Sequence, residues 1–472
     1  MALLELPPEI LSHIMTFVGP PDISSFATTC KQAHTFASPQ NQLLWKAAFL
    51  SVFDDPADAW AAMPVQASQL RKEQWHWHRE LRLRFLALRM ARSKYVLDFD
   101  HANALAYVDT ILDILDTTKF TPSPRDIKHG RVPTVDDRTL SRNLQVLSEI
   151  DQKDQGLVAL IHDTGKSATS TYPATNGNPW TSPLRPRTRS VTQAEDEKNR
   201  PENAARLHVL NGLTKRELEN RLWGAARRKV YNWHLTGSDN DYGPFQRNGS
   251  GKVDWPLLEA VFCVIARNFK MCVRGHLTMP QGFCFSIPHR TLTDPIVPED
   301  WARVTGPWLG TYAFLDYADL FAFNAAEALS IQPPTLDDEE EACGDLMTLD
   351  LKLDPSLSSD RKLHTLLPYS TELPVLYFSG LSRANLGLRR PAIGVRGMTC
   401  LIPGGREVRW RFIISYGGQD QWQLEGVQPG GVRSGGVFGL WTQCEHEENG
   451  PIGPFCYFPS ELCKTTSVVL VT

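Results

Sequence analysis

The chain has 472 residues, more than one ordinary hydrophobic core accommodates, so two or three domains are expected. Hydrophobic residues make up 42% and charged residues 22%, a balance typical of globular rather than disordered proteins. The net charge of −4 gives no overall indication of a nucleic-acid or membrane-surface partner, and neither partner is expected.

The cysteines and the N-terminal residues indicate a compartment. The nine cysteines include no CxxC pair, which favours reduced thiols in an intracellular protein of the cytoplasm, the nucleus or both. Residues 1–11 carry two prolines and two acids but no basic residue, so they are not expected to form a signal peptide. The most apolar stretch, residues 261–266, is far too short to span a bilayer.

Residues 1–50 predict three short amphipathic helices. In the first, Leu6, Ile10 and Ile14 recur at every fourth position and form one apolar face. A second helix is predicted to begin with Asp22 as its cap. A third short helix is predicted to carry Leu44, Trp45, Ala48 and Phe49. Three helices of this length cannot bury all their apolar side chains among themselves, so a partner or a following domain is expected to cover the remainder.

This segment resembles the F-box, the module through which its family binds a Skp-family adaptor. The resemblance rests on LPPEIL at residues 6–11 and on the apolar spacing from there to Leu44-Trp45. Val18 and Thr29 depart from the pattern, because leucine and valine are usual at those positions. The resemblance implies that the adaptor contacts Leu6, Pro7, Glu9, Ile10, Leu11, Ile14, Phe17, Ile23, Phe26, Cys30, Leu44 and Trp45.

The resemblance also implies how such a protein works. In the F-box architecture the adaptor connects to cullin and RING subunits, which supply the activated ubiquitin, so no catalytic cysteine is expected in this chain. Residues 1–50 would then be the F-box, and the C-terminal β domain, residues 301–465, would bind a protein client. The alternative is a helical cap that only packs on the next domain.

Helical spacing continues through residues 51–163. Trp77 and Phe85 belong to an apolar stripe on a helix predicted over residues 70–95, whose other positions are rich in arginine. We interpret this basic side, which includes Arg84, as a solvated face that leaves the stripe to pack on the F-box. Nucleic-acid binding is the alternative interpretation.

Two further regions precede the C-terminal domain. Residues 164–205 are rich in Ser, Thr, Pro and charge without apolar spacing, which predicts a disordered or loosely held linker. Residues 206–300 return to helical spacing and are expected to pack on the C-terminal domain. Within them, Asp254 is expected to cap a helix whose residues 261–265 are apolar nearly all round and should be buried.

From about Gly306 the apolar spacing changes from helical to alternating. Strands are predicted at residues 308–314, 320–323, 347–353 and 408–414. Glycine-rich turns follow the strands, so residues 301–465 predict an antiparallel barrel or sandwich. An acidic run, residues 337–341, is expected in a solvated loop between strands.

This second half is similar to the C-terminal region of a group of fungal F-box proteins. The similar strings lie at residues 306–324, 375–383, 408–434 and 450–455. The GPWLGTY start is also similar to lipocalin-like barrels. The expected fold class is therefore α+β multidomain, with an N-terminal three-helix F-box, a helical middle region and a C-terminal antiparallel β-barrel or sandwich of lipocalin-like type.

The chain contains no HExxH, CxxC or GxSxG pattern, so no enzyme activity, metal or cofactor is expected. The predicted function is substrate recognition in an SCF-type ubiquitin ligase, which acts by bringing a client lysine close to activated ubiquitin. Candidate client contacts are Trp308, Tyr312, Arg396, Trp410, Trp422 and Arg433. Two alternatives stay open: an F-box scaffold acting outside a ligase, and a small-molecule-sensing barrel coupled to an F-box.

Overall fold

A computed structural model describes most of the chain. The described residues are 5–61, 65–95, 100–118, 141–151, 153–165, 201–217, 220–273, 277–286, 298–329, 331, 336, 341–343, 346–384, 393–404, 406–432 and 434–463. Their α-helices are α1 (Pro8–Met15), α2 (Pro20–Ala27), α3 (Lys31–Phe36), α4 (Gln42–Val52), α5 (Pro56–Ala61), α6 (Val65–Gln74), α7 (Trp77–Ala91), α8 (Ala104–Asp116), α9 (Arg142–Ser148), α10 (Gln155–His162), α11 (Glu202–Asn211), α12 (Asn220–Val230), α13 (Trp255–Cys272) and α14 (Tyr317–Ala328). The strands are β1 (Gly306–Leu315), β2 (Glu341–Cys343), β3 (Met347–Leu353), β4 (Leu376–Ala384), β5 (Ile393–Leu401), β6 (Val408–Tyr416), β7 (Gln419–Gln428), β8 (Val437–Gln443) and β9 (Ile452–Pro459).

The first helices begin where the local sequence tolerates or satisfies free amide groups. α1 has Pro8 in its first turn, where an amide hydrogen would be unpaired. α2 begins at Pro20, so Asp22 lies inside its first turn and does not cap it as predicted. The short helix α3 was not predicted, and its cap is Cys30, whose Sγ lies 3.4 Å from the amide nitrogen of Ala33.

One hydrophobic core joins these helices to the middle of the chain. It contains Leu11, Ile23, Trp45 and Phe49 together with buried side chains of α7, α8, α10 and α11. α4 runs across the predicted domain boundary at residue 50 and packs on α7. Much of the apolar surface of the first helices is therefore covered by the helices that follow.

Arg84 is not solvated, and the single helix predicted over residues 70–95 is two helices, α6 and α7. The side chain of Arg84 is fully buried, and its Nη2 donates to Asp113 Oδ2 of α8 at 2.7 Å. Its guanidinium also lies over the rings of Phe49 and Phe53. Burial lowers the pKa of Arg84, and the Asp113 carboxylate opposes this effect. The prediction of a solvated face was wrong here, because a neighbouring helix supplies a carboxylate.

The C-terminal end of the predicted linker is helical. α11 begins at Glu202, within the 164–205 region, and its Ala204 is fully buried. The prediction of a loose linker is therefore wrong for these last residues, where alanines and leucines provide a face to bury. Residues 166–200, which carry most of that prediction, lie outside the described part of the chain.

α11 is shared between two hydrophobic cores. Leu207 lies in the helical core, whereas Val209 lies in a second core that includes α13 and the outer face of the β domain. Arg206 of the same helix pairs with Asp116 of α8 at 2.8 Å. Arg406, which lies between β5 and β6, reaches the same carboxylate at 3.3 Å. Helices and β domain are thus joined by apolar packing and by a shared ion pair.

The C-terminal part of the described chain is a closed antiparallel barrel, which confirms the predicted architecture. Its strands are hydrogen-bonded in the order β1-β3-β4-β5-β6-β7-β8-β9, and β9 pairs back with β1. The closing register runs from Trp308 opposite Pro459 to Tyr312 opposite Phe455. β2 pairs with the far end of β1.

Aromatic side chains fill the barrel interior. Along β6, alternation turns Trp410 and Phe412 inward, and the Trp410 ring lies 5.1 Å from that of Trp308 between centroids. Glycine makes room for these rings, because a Cβ at Gly397 would lie 2.3 Å from the ring of Phe378. An eight-stranded barrel is just wide enough for side chains to fill it, so this interior is a packed core.

α13 supports the barrel from outside. Asp254 caps it as predicted, with its Oδ1 accepting from the Leu257 amide at 3.0 Å. Val261 and Ile265 are fully buried, which confirms the predicted all-round burial of this segment. The helix packs against β1, β8 and β9. Within the described residues, none of the helices combines the length and apolar character that crossing a bilayer requires.

Two predictions in the 316–341 region were wrong. The strand expected at residues 320–323 is part of α14, whose Leu320 and Phe323 face the core at helical spacing. Glu341, expected in an acidic loop, begins β2 because it pairs with the end of β1. The other acidic residues, 337–340, lie outside the described part of the chain.

Candidate adaptor surface and client pocket

The N-terminal helices leave an apolar strip accessible to solvent. Phe17 is 78% exposed and Ile10 is 50% exposed, and Ile14 lies between them with partial burial. Their three- and four-residue spacing places them along one side of α1 and its C-terminal turn. Burying apolar surface is worth about 25 cal/mol per Å², so such a strip favours coverage by a partner.

The predicted adaptor residues fall into two groups. Buried in the helical core are Leu11, Ile23, Leu44 and Trp45. Exposed or partly exposed are Leu6, Pro7, Glu9, Ile10, Ile14, Phe17, Phe26 and Cys30. The first group fixes the helices relative to one another; for example, Trp45 Nε1 donates to the carbonyl of Ser38 at 3.0 Å. Only the second group is available to a partner in this arrangement.

The candidate client residues do not form one site. Trp308 and Trp410 are buried in the barrel interior, and Tyr312 and Trp422 are partly buried beside Trp441 at one end of it.

Arg396 lies on the outer face of the barrel and is already paired. Its Nε lies 2.6 Å from Asp360, and its Nη1 lies 2.6 Å from Asp420. The hydrogen bond from Arg396 holds the pKa of Asp420 well below its usual range. Arg433, the last candidate, lies outside the described residues.

A cavity that the sequence did not predict lies beside the barrel. Its volume is about 650 Å³, and it lies between the 233–242 segment, α14 and the loop from β8 to β9. Trp233 and Phe321 form an aromatic wall, with ring centroids 6.0 Å apart, and Phe321 is 47% exposed. Glu447 and Glu448 are exposed at its rim. The pocket therefore combines aromatic surface with negative charge.

Hydrogen bonds and a ring stack shape this pocket. Trp233 Nε1 donates to the carbonyl of Gly450 at 2.9 Å, and the Trp233 amide donates to Asn324 Oδ1 at 2.9 Å. The Tyr242 ring stacks on His446 at 3.6 Å between centroids. Burial lowers the pKa of His446, so its ring is neutral near pH 7. Both walls are thereby preorganised before any ligand arrives.

A buried ion-pair network anchors the Tyr242 side of the pocket. Asp241 Oδ2 lies 2.8 Å from Arg409 Nη2 and 3.3 Å from Arg411 Nη2, both on the outer face of β6. Arg409 also pairs with Glu425 of β7 at 2.7 Å. Burial raises the pKa of Asp241, but Arg409, Arg411 and the Thr365 hydrogen bond together outweigh it, so the net pKa is lowered. Asp241 and Tyr242 both have positive φ, 49° and 60°, a conformation that these interactions must stabilise.

Sequence reasoning missed this pocket because its walls come from separate segments. The only local signal is the acidic, turn-rich string EHEENG at residues 445–450, between two strands. An acidic loop by itself is most often solvated surface. Its proximity to Trp233 and Phe321 depends on the barrel closing and on α14 being a helix.

Comparison with known proteins identifies one part of the chain. Residues 3–51 match the family model described as F-box-like. The chain therefore carries an F-box-like domain at its N-terminal end, formed by α1 to α4. No curated protein and no solved structure matches the chain.

The F-box-like match associates the exposed apolar strip with adaptor binding. F-box domains bind Skp-family adaptors, and F-box proteins are generally non-catalytic adaptor subunits. Ile10 and Phe17 lie within the matched residues and are accessible.

Proposed function

We propose that this protein is the substrate-recognition subunit of an SCF-type ubiquitin ligase. The exposed Ile10 and Phe17 of the F-box-like domain carry the proposal, because they are available to a Skp-family adaptor. The adaptor would connect the chain to cullin and RING subunits inside the cell. The chain itself would supply proximity and orientation rather than chemistry.

The packing between the two halves supports this role. A substrate receptor must hold its client at a defined distance from the activated ubiquitin, since a flexible connection lowers the effective concentration. α4 packs on α7, and α11 is buried in both the helical core and the core beneath the barrel. This continuity favours a rigid arm between the adaptor surface and the β domain.

Co-purification of the full chain with a Skp-family adaptor tests whether the exposed strip binds the adaptor. We expect a stoichiometric complex with the wild-type chain and its loss in the double variant Ile10→Asp, Phe17→Asp. Leu366→Asp is the matched control, because Leu366 is 84% exposed but lies in the β half of the chain. Unchanged adaptor binding by the double variant would refute the assignment of this strip.

We further propose that the 650 Å³ pocket binds a basic segment of the protein client. Aromatic side chains stabilise bound cations and alkyl chains, and the carboxylates of Glu447 and Glu448 complement a lysine or arginine. The filled barrel interior supports an external site, since Trp410 and Phe412 occupy the position where a lipocalin-like ligand would bind.

Proximity labelling in cells, combined with client half-lives, tests the client step. The double variant Glu447→Lys, Glu448→Lys and the variant Phe321→Ser should lose the same set of captured proteins, whose half-lives should lengthen. Glu372→Lys is the charge control, because Glu372 is exposed and outside the pocket. Loss of capture without any change in half-life would favour the scaffold alternative, and an unchanged protein set would refute the pocket assignment.

A further inference from the structure

A buried cluster of two histidines and one carboxylate lies away from both proposed binding surfaces. His162 ends α10, His208 lies in α11, and Glu217 follows α11. Their side chains are 9%, 1% and 2% exposed, and one nitrogen or oxygen from each lies within 4.8 Å of the others. His162 Nε2 lies 2.9 Å from Glu217 Oε1, and His208 Nε2 lies 3.4 Å from Glu217 Oε2.

The orientation of His208 is that of a metal ligand. Its Nδ1 lies 2.7 Å from Glu259 Oε1 of α13, and its Nε2 lies on the opposite edge of the ring, toward Glu217. With the proton on Nδ1, this arrangement would present the Nε2 lone pair to a metal ion. Cys263 Sγ is also on the Nδ1 side, at 4.0 Å. Among the described residues, His208 Nε2 has no hydrogen-bond partner although it is fully buried. An unsatisfied buried nitrogen is costly unless something occupies the space it faces.

The carboxylate shows the same pattern. Glu217 Oε2 accepts a hydrogen bond from the Thr214 amide, which orients the group. Its Oε1 accepts no hydrogen bond of regular geometry within the described chain, although His162 Nε2 lies 2.9 Å away. Two ligand atoms about 2.0–2.1 Å from one tetrahedral Zn²⁺ lie roughly 3.3 Å apart. The observed separations of 2.9 and 3.4 Å bracket that value.

We propose that His162, His208 and Glu217 bind one divalent transition-metal ion, for which Zn²⁺ has the best-matched ligand preference. Two imidazole nitrogens and a carboxylate oxygen are a donor set that zinc accepts with tetrahedral geometry. The fourth position falls to water or to Thr214 Oγ1, which lies 3.1 Å from His162 Nε2. Glu259 is a positioning residue that orients His208 from behind.

The position of the site indicates a structural role. It joins α10, which precedes residues 166–200, to α11, which follows them, and Glu259 extends the connection to α13 under the barrel. The ion would therefore hold together the helices that connect the adaptor surface to the β domain. The competing explanation is a metal-free network in which a protonated His208 lies between Glu217 and Glu259.

Metal content of the full chain, purified without a polyhistidine tag or chelator, tests the proposal. We expect about one equivalent of Zn²⁺ by plasma mass spectrometry. Replacement by Co²⁺ should saturate at one equivalent with a visible tetrahedral absorption band. Adding EDTA should lower Tm, and Zn²⁺ should restore it. Less than a tenth of an equivalent of bound metal, together with no saturable Co²⁺ band, would overturn the proposal.

Variants separate metal binding from an ion-pair network. Glu217→Gln and His208→Gln should abolish the Co²⁺ band, whereas His234→Gln, at an exposed histidine, should retain it. Glu259→Gln should weaken Co²⁺ affinity about 10- to 100-fold without eliminating binding, as expected for the partner of a ligating histidine. Because unfolding could also remove the band, Skp-adaptor co-purification serves as the folding control. A folded Glu217→Gln chain with wild-type metal affinity would refute the ligand assignment.

Discussion

Replacing Asp241 by asparagine should loosen the wall of the proposed client pocket. The Asp241 carboxylate accepts from Arg409 and from the amide of Leu366 at 3.2 Å, and it is 8% exposed as a side chain. Breaking a buried ion pair typically costs 3–5 kcal/mol. We expect the low end, about 3 kcal/mol, because Arg409 retains Glu425. A loss of about 3 kcal/mol in local opening free energy corresponds to roughly 150-fold faster opening-dependent exchange.

Hydrogen exchange followed by mass spectrometry measures this change in local opening free energy. Peptides that contain residues 241–242 and 365–367 should exchange roughly 150-fold faster in Asp241→Asn than in wild type, whereas peptides from α8 should not change. Asp350→Asn is the matched control, since Asp350 is exposed on β3 and its loss should cost less than about 0.5 kcal/mol. An acceleration below about threefold in the 365–367 peptide would refute the assigned role of the network.

The same variant carries a pH prediction with a defined sign. The pKa of Asp241 is lowered in the folded protein, so its ionisation stabilises the fold fully above the unfolded pKa of about 3.9. That contribution is lost as the pH falls through the lower, folded pKa. The stability difference between wild type and Asp241→Asn should therefore be largest near neutral pH and shrink below about pH 4. A difference that stays constant from pH 7 to pH 3 would contradict this linkage.

Two further predictions concern the barrel core and the adaptor surface. Gly397→Ala should destabilise the β domain by about 3 kcal/mol in urea unfolding, because the added Cβ would lie 2.3 Å from the Phe378 ring. Gly394→Ala on the same strand is the control: its Cβ would lie 3.8 Å from the nearest atoms, those of Ser415, so its effect on stability should be near zero. Cys30 should react with a maleimide before Cys400, because the Ala33 amide lowers the pKa of its exposed thiol while burial raises that of Cys400 to about 11. Bound adaptor should slow Cys30 labelling, and equal rates for both thiols would contradict the assignment.

The sequence predicted those elements whose periodicity is local. The four-residue spacing of LPPEIL identified α1, and strict alternation at residues 408–414 identified β6 with Trp410 inside. It failed for α14 because the aromatic DLFAF run has strand-like composition. Core packing favours the helix in this segment, because Leu320 and Phe323, three residues apart, both reach the hydrophobic core on one face of α14.

The candidate sites were harder to predict for a related reason. From the sequence alone, Arg84 is interpreted as a surface charge, because its partner Asp113 belongs to another helix. The pocket at Trp233 and Phe321 likewise has no spacing of its own in the sequence. By contrast, residues 3–51 are one short continuous segment, and the family model matches them directly.

Because α11 is buried in both hydrophobic cores, its sequence is constrained. A substitution at Leu207 or Val209 disturbs one of the two cores, so this helix should accept few changes. The 445–450 loop forms part of the pocket rim but contributes little to either core, since Glu447 and Glu448 are exposed. If the pocket binds a client as proposed, mutation of that loop would change the client preference and leave the packing of α11 in the two cores unchanged.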